Sequence, residues 1–174
     1  MPPTADEFRE AVSRFATGIT VVTCVVDGLD HAMTANAFAS VSLDPLLVLV
    51  SVERDSRFHD AVSAARAWGV SILRSRAEPT ARWLATKGRP LEGQLEQVAH
   101  HRSPTLNVAW IDDSMAALEC RTIDTLTAGD HDIVVGEVVN IETDHLGESE
   151  VAAPLDPLLY FQRRYRRFSL GEPL

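Results

Sequence analysis

The sequence predicts a mainly β fold with inserted helices: an antiparallel sheet rolled into a small barrel, with one helix at the N-terminus. Three observations carry that expectation. Residues 18–26, 33–42 and 46–52 are consecutive strand-like runs joined by short turns, with no crossover helix between them, as antiparallel neighbours require. Residues 116–127 and 132–143 are two longer strand candidates flanking the turn Ala128-Gly129-Asp130. Helical spacing is confined to residues 6–15, 58–65 and 78–86, so helices interrupt the sheet and do not alternate with its strands.

In chain order, Phe8, Ala11, Val12 and Phe15 recur at helical spacing and predict the N-terminal helix. Residues 18–26 are nearly all apolar and rich in β-branched side chains, the pattern of a strand buried on both faces. Asp27-Gly28 is a hairpin turn leading into residues 33–42, and Asp44-Pro45 ends that strand before the apolar run 46–52. A strand at 68–73 follows the helix at 58–65. Pro79 sits near the start of the next helix, where a missing N–H costs little. From 87 to 113 the periodicity weakens, and Pro90, Gly93, Pro104 and the His100-His101 pair predict loop with short helical pieces. Residues 157–168 supply the last strand. Neither repeats nor low-complexity segments divide the chain, so residues 1–174 are expected to form one domain.

Composition excludes several classes. A chain of 174 residues is long enough to bury roughly 70% of its unfolded surface in a core. A net charge of −9 argues against general affinity for nucleic acid or anionic membrane. The longest apolar runs fall short of the ~20 residues a membrane span needs. Met1 to Asp6 lead into a charged amphipathic segment, so no secretory signal is expected and the location read here is the cytoplasm. Cys24 and Cys120, each inside an apolar strand, read as reduced core residues.

The most informative stretch is residues 33–42. Strand alternation puts Thr34, Asn36, Ser40 and Ser42 on one face, with Phe38 among them, and Ala35, Ala37, Ala39 and Val41 on the other. A solvent-facing strand would carry long charged side chains. Short hydroxyls and an amide instead suit hydrogen bonding to something lying flat on the strand. The pattern fits either a wall for a planar, polar-edged ligand or a sheet packed closely on another element.

Glu53-Arg54-Asp55-Ser56-Arg57 lies between an apolar strand and a helix that Asp55 or Ser56 can cap. Two guanidinium groups beside an electropositive helix terminus make a phosphate pocket; the plainer reading is a solvated turn of paired charges. His131, at the mouth of the second long hairpin, reads either as a donor placed over a ligand or as a solvated histidine beside two aspartates. The alternating aromatic and basic residues of 160–168 read as a closing strand with arginines outside, since nine residues do not outweigh the overall acidity. The chain contains no Gly-x-Gly-x-x-Gly, Walker or Gly-x-Ser-x-Gly motif. His100-His101 lacks further ligands at zinc-site spacing, so no metal site is assigned.

Four segments, in order, resemble the short-chain flavin reductases that serve as reductase partners of two-component flavin-dependent monooxygenases. They are Phe15-Ala-Thr-Gly-Ile-Thr-Val-Val-Thr23, Met33-Thr-Ala-Asn-Ala-Phe-Ala-Ser-Val-Ser-Leu-Asp-Pro45, Gly129-Asp-His-Asp-Ile-Val-Val-Gly-Glu-Val138 and Pro157-Leu-Leu-Tyr-Phe161. The resemblance implies an FMN-binding split β-barrel, a homodimer, and hydride transfer from NADH or NADPH to FMN or FAD that supplies a monooxygenase partner. It places Thr34, Ala35, Asn36 and Ala37 along the isoalloxazine and ribityl chain, with Ser40 and Ser42 continuing that wall. It places Arg54, Asp55, Ser56 and Arg57 at the flavin phosphate and His131 on the nicotinamide side, the catalytic position. Tyr165 and Arg166 fall near the cofactor site. Nothing between residues 87 and 113 is assigned, and Gln162-Arg163 stands where relatives commonly carry Arg-Gly. A flavin-holding or electron-transfer module without turnover is the alternative function, and a barrel for another ligand such as haem or pyridoxal phosphate a third. The absence of an acid–base dyad fits the first, because the cofactors supply the reactivity.

Overall fold

Thr4 starts the chain's first helix by a reciprocal cap. Its hydroxyl accepts from the Glu7 N–H at 3.3 Å and the Glu7 carboxylate accepts from the Thr4 N–H at 2.8 Å, beginning α1 (Ala5–Val12). In this computed structural model, residues 1–143 and 156–168 are described. The expected first strand is two: β1 (Thr17–Gly18) and β2 (Thr20–Val26). Asp27 and Gly28 both take positive φ, 51° and 78°, and turn β2 into β3 (Leu29–Ala35) as a tight hairpin. Then come β4 (Phe38–Leu43), β5 (Leu46–Glu53), α2 (Arg57–Ala65), β6 (Ala67–Leu73) and α3 (Glu78–Ala85). The remaining strands are β7 (His100–Arg102), β8 (Ala109–Ile111), β9 (Ser114–Ala128), β10 (His131–Thr143), β11 (Leu158–Phe161) and β12 (Arg164–Arg167).

Seven strands form one antiparallel sheet in the order β3-β2-β6-β9-β10-β5-β4, as expected for a mainly β chain with inserted helices. Val21 and Val22 are consecutive on β2 and both fully buried, because each face of that strand is covered. On one face Val22, Cys24, Val50, Val52, Trp68 and Val70 pack with Phe58, Ala61 and Val62 of α2. On the other, Val21 and Leu73 pack with Ala81 and Leu84 of α3, Ile111 of β8 and Leu158 of β11. Burial on both sides explains why β2 reads as an unbroken apolar run.

Residues 33–42 are not one strand. β3 ends at Ala35, β4 begins at Phe38, and the two lie at opposite ends of the sheet order. Their small polar residues therefore do not share a face. Thr34 pairs with Val21, and its hydroxyl donates to the Ala81 carbonyl at 2.8 Å, on the α3 side. Phe38 pairs with Val50 and packs on the α2 side. A register shift between Ser40 and Ser42 pairs them with Val48 and Leu47 respectively, and those consecutive residues face opposite ways. Ser40 and Ser42 are thus split by a bulge, one to each face.

Two other segments differ from expectation. Residues 87–113 hold the short hairpin of β7 and β8 in place of helical pieces. Residues 157–168 are a hairpin, β11 and β12, turned by Gln162 and Arg163 at φ of 50° and 59°. The 87–94 segment also covers the outer edge of β3. Gln94 Nε2 donates to the Asp30 carbonyl at 2.6 Å, and the Arg89 guanidinium donates to the Ala32 carbonyl. Side-chain donors thereby occupy acceptors that an exposed edge would leave open to another chain.

Candidate active site

The sealed edge of β3, the N-terminus of α2 and the C-terminal end of α3 enclose a cleft of about 420 Å³, within the range of small-molecule sites (roughly 300–1,000 Å³). Each wall follows from local sequence. Ser56 caps α2, its hydroxyl accepting from the His59 N–H at 3.2 Å, and so presents Asp55, Ser56 and Arg57 to the cleft. β3 contributes Met33 and Thr34, and β5 ends there with Glu53. Beyond α3, Gly88 turns at φ 77° and returns Lys87 and Arg89 to the same space.

Arg57, Lys87 and Arg89 line the cleft together with Glu53 and Asp55. Arg57 Nη2 donates to the Arg89 carbonyl at 2.8 Å, and Arg89 donates to the Gln94 side-chain oxygen at 3.1 Å as well as to the Ala32 carbonyl. These acceptors are neutral, and among the described residues no carboxylate pairs with either guanidinium, so both can meet an anion. Burial, reinforced by Arg57, holds Arg89 below the ordinary arginine value. The same two causes lower the pKa of His31, which also lines the cleft, and Asp30 opposes them only in part. A neutral imidazole therefore sits beside the cations at pH 7. The α2 terminus adds its own partial positive charge.

Of the residues expected from sequence, Thr34, Asp55, Ser56 and Arg57 line this cleft. Arg54 is instead drawn toward Asp132, its Nε 3.8 Å from the carboxylate. His131 pairs with Glu53 across β10 and β5, so it stands beside the cleft wall, and its Nδ1 meets Asp130 at 2.8 Å. Asn36 donates to the Thr17 hydroxyl at 3.3 Å and is exposed, as are Ala37 and Ser40; Ala35 is buried in the core. The Ser42 hydroxyl accepts from the Asp44 N–H at 3.2 Å. Tyr165 lies 4.8 Å beneath the Arg82 guanidinium and edge-on to Tyr160, while Arg166 is exposed.

Sequence reasoning missed His31, Thr86, Lys87, Arg89 and Gln94 as lining residues. One sign was present. Lys87 is the single lysine of the chain, and Lys87-Gly88-Arg89 follows directly on a helix.

Comparison with known proteins agrees with this architecture. A family model described as the flavin reductase like domain matches residues 12–169. The reductase component of 4-hydroxyphenylacetate 3-monooxygenase from Thermus thermophilus is 38% identical over 162 residues, 93% of this chain and 95% of that one. The NADH:riboflavin 5′-phosphate oxidoreductase of Streptomyces pristinaespiralis is 38% identical over 160 residues, covering 91% and 85%. Among solved structures, BorF, the flavin reductase component of a bacterial two-component tryptophan halogenase, superposes with a TM-score of 0.86 at 34% identity, over 97% of this chain and 100% of that one. The NADH:FAD oxidoreductase SgcE6 of Streptomyces globisporus, solved with NAD and FAD fragments, gives a TM-score of 0.85 at 31% identity, over 97% and 94%. A match spanning nearly the whole chain, on a sheet of the same architecture, leads to one assignment: this protein belongs to the flavin reductase like family.

Proposed function

We propose that the protein is an NADH-dependent flavin reductase that passes a hydride from reduced nicotinamide to FMN or FAD and supplies the reduced flavin to a monooxygenase partner. The observation that carries this reading is the cationic side of the cleft. Arg57, Arg89 and Lys87 line a space of ligand size, and among the described residues Arg57 and Arg89 bond to neutral acceptors, which suits a flavin phosphate. The relatives named above for reducing flavins with NADH support it.

When bound, the flavin supplies the hydride-accepting ring. The protein's own residues hold and orient. Arg57, Lys87, Arg89 and Ser56 bind the phosphate. Thr34 marks the direction in which the remainder of the ligand runs, toward Ala35, Asn36 and Ala37, with Tyr165 and Arg166 beyond. His131 serves the nicotinamide side from its place beside Glu53. NADPH remains the other nicotinamide donor for the assay to compare.

The chain acts as a split-barrel homodimer in the cytoplasm. What supports the dimer is an apolar surface on β4 and β5, where Val41, Leu43 and Leu46 are exposed by 50%, 87% and 45%. Among the described residues, no helix is long and apolar enough to cross a membrane.

Anaerobic mixing of the purified protein with NADH or NADPH and with FMN, FAD or riboflavin tests the activity. Loss of nicotinamide absorbance together with flavin bleaching is expected. Flavin binding without nicotinamide oxidation would make this a flavin-holding module.

A further inference from the structure

A second group of charged side chains lies directly behind the cleft and takes no part in the reading above. His59 stands in the first turn of α2, three residues after the cap Ser56, and Asp132 follows His131 on β10. His59 Nε2 is 2.8 Å from Asp132 Oδ2, with the two side chains only 18% and 11% exposed. Arg54 Nε lies 3.8 Å from the other carboxylate oxygen. The backbone joins the same two segments, since the Arg54 N–H donates to the Asp130 carbonyl at 3.0 Å. Three connections therefore tie the β5–α2 turn, which bears the cleft residues 55–57, to the hairpin tip that bears His131.

We propose that His59 and Asp132 are a positioning pair whose hydrogen bond holds the anion-binding turn 55–57 in register with the β10 strand carrying His131, so that Arg57 and His131 share one rigid support. The proposal rests on the flavin-site reading for its consequence, but its geometry stands without a ligand. A loose turn would let Arg57 wander from the position set by the cap. Small displacements of this kind are costly where two reacting groups must be aligned.

The charged groups around the pair define how it responds to pH. Facing His59 are Asp60 on α2, 3.4 Å from Nδ1, and Asp132 on β10, with Arg54 from the β5–α2 turn and Thr127 from β9 facing Asp132. The bond to Asp132 raises the His59 pKa against the opposing effect of burial. The reciprocal bond lowers that of Asp132. Between the two values the pair is an imidazolium–carboxylate bond, stronger than the bond a neutral imidazole gives the same carboxylate. As pH rises through the elevated His59 value the proton is lost and the turn loosens.

The test follows backbone amide resonances of Ser56, Arg57 and His131 against pH in the ligand-free protein, alongside FMN affinity by fluorescence quenching. The amides of both segments are expected to titrate together, with a midpoint above 6.5, the ordinary histidine value. FMN affinity is expected to fall about fivefold across that midpoint, the lower end of coupling between two sites. Asp132→Asn moves the midpoint down and flattens the affinity profile. His59→Gln keeps a donor for Asp132, so it preserves affinity below the midpoint and removes the transition above 6.5. Amides of residues 56 and 57 that ignore the titration, or a His59→Gln protein with the native pH profile, would overturn the proposal. Amides that titrate as described in a protein that binds no FMN would refute the flavin reading and leave the positioning pair standing.

Discussion

Lys87 Nζ lies 3.1 Å from Glu53 Oε2, so the chain's single lysine is held by a carboxylate from the opposite wall of the cleft. The two side chains are 88% and 44% exposed. A pair so open to solvent contributes about 0–1 kcal/mol to stability, and its interest is competition for the lysine. An arriving phosphate must draw Lys87 away from Glu53. Lys87→Met is expected to weaken FMN binding about tenfold, or ~1.4 kcal/mol, and to leave riboflavin binding unchanged. Glu53→Gln should tighten FMN binding slightly. Equal losses for FMN and riboflavin on Lys87→Met, measured by titration, would place the phosphate elsewhere.

Gly136 has a packing reason. A Cβ built there would stand 2.5 Å from Trp68 Cζ2 and 3.0 Å from Cys120 Cβ, in a region where Trp68 is fully buried. Neither neighbour can retreat without disturbing β6 or β9. Gly136→Ala is expected to cost about 1–3 kcal/mol, the usual range for overpacking a dense core. Chemical denaturation reads this as a lower midpoint, and adding Trp68→Phe should recover part of it. An unchanged midpoint would mean that the sheet bends to admit the methyl group.

Glu119 is a buried carboxylate with a structural task. Its Oε1 accepts from the Leu106 N–H at 2.7 Å and the Thr105 N–H at 3.1 Å, fastening the β7–β8 turn to β9. Burial alone pushes this carboxyl up, and bonds from Ser103, Leu106 and Thr105 together outweigh it, leaving the pKa below its ordinary 4.5. The sign follows from linkage. Because the folded value is the lower one, the stabilisation is fully present above 4.5 and disappears as pH falls through the folded value. Glu119→Gln should cost about 1–3 kcal/mol at neutral pH and give a flatter stability profile in acid, read from thermal melts at successive pH values.

Asn36 separates binding from folding. It is exposed, and its one described side-chain bond is the 3.3 Å donation to Thr17. Asn36→Leu is expected to weaken flavin affinity by about tenfold with the melting temperature nearly unchanged. A large drop in melting temperature with native affinity would instead give Asn36 a structural role through its bond to Thr17.

Elements with strong local determinants were legible in the sequence. The expected helices at 58–65 and 78–86 match α2 and α3 to within one residue, and the strand at 68–73 matches β6 equally well. Each has a cap, an early proline or a dense apolar pattern that needs no distant partner. The stretch 33–42 lacked such a determinant. Its Ala, Ser and Thr residues alternate equally well in one strand or in two, and only pairing with β2 and β5 breaks it after Ala35. β7 and β8 were missed because three-residue strands carry no period of their own.

The sequence by itself determined which segments could extend, turn or coil, and the order of its motifs identified the family, because those properties reside in neighbouring residues. Only the tertiary structure decided which side chains share a space. His31 and Thr34, Glu53 with Asp55 to Phe58, and Leu84 to Arg89 come from three distant segments and meet in one cleft through the placement of β3, β5 and the two helices. Such convergence depends on long-range strand pairing and core burial, whose free energy belongs to the whole sheet, and no local pattern records it.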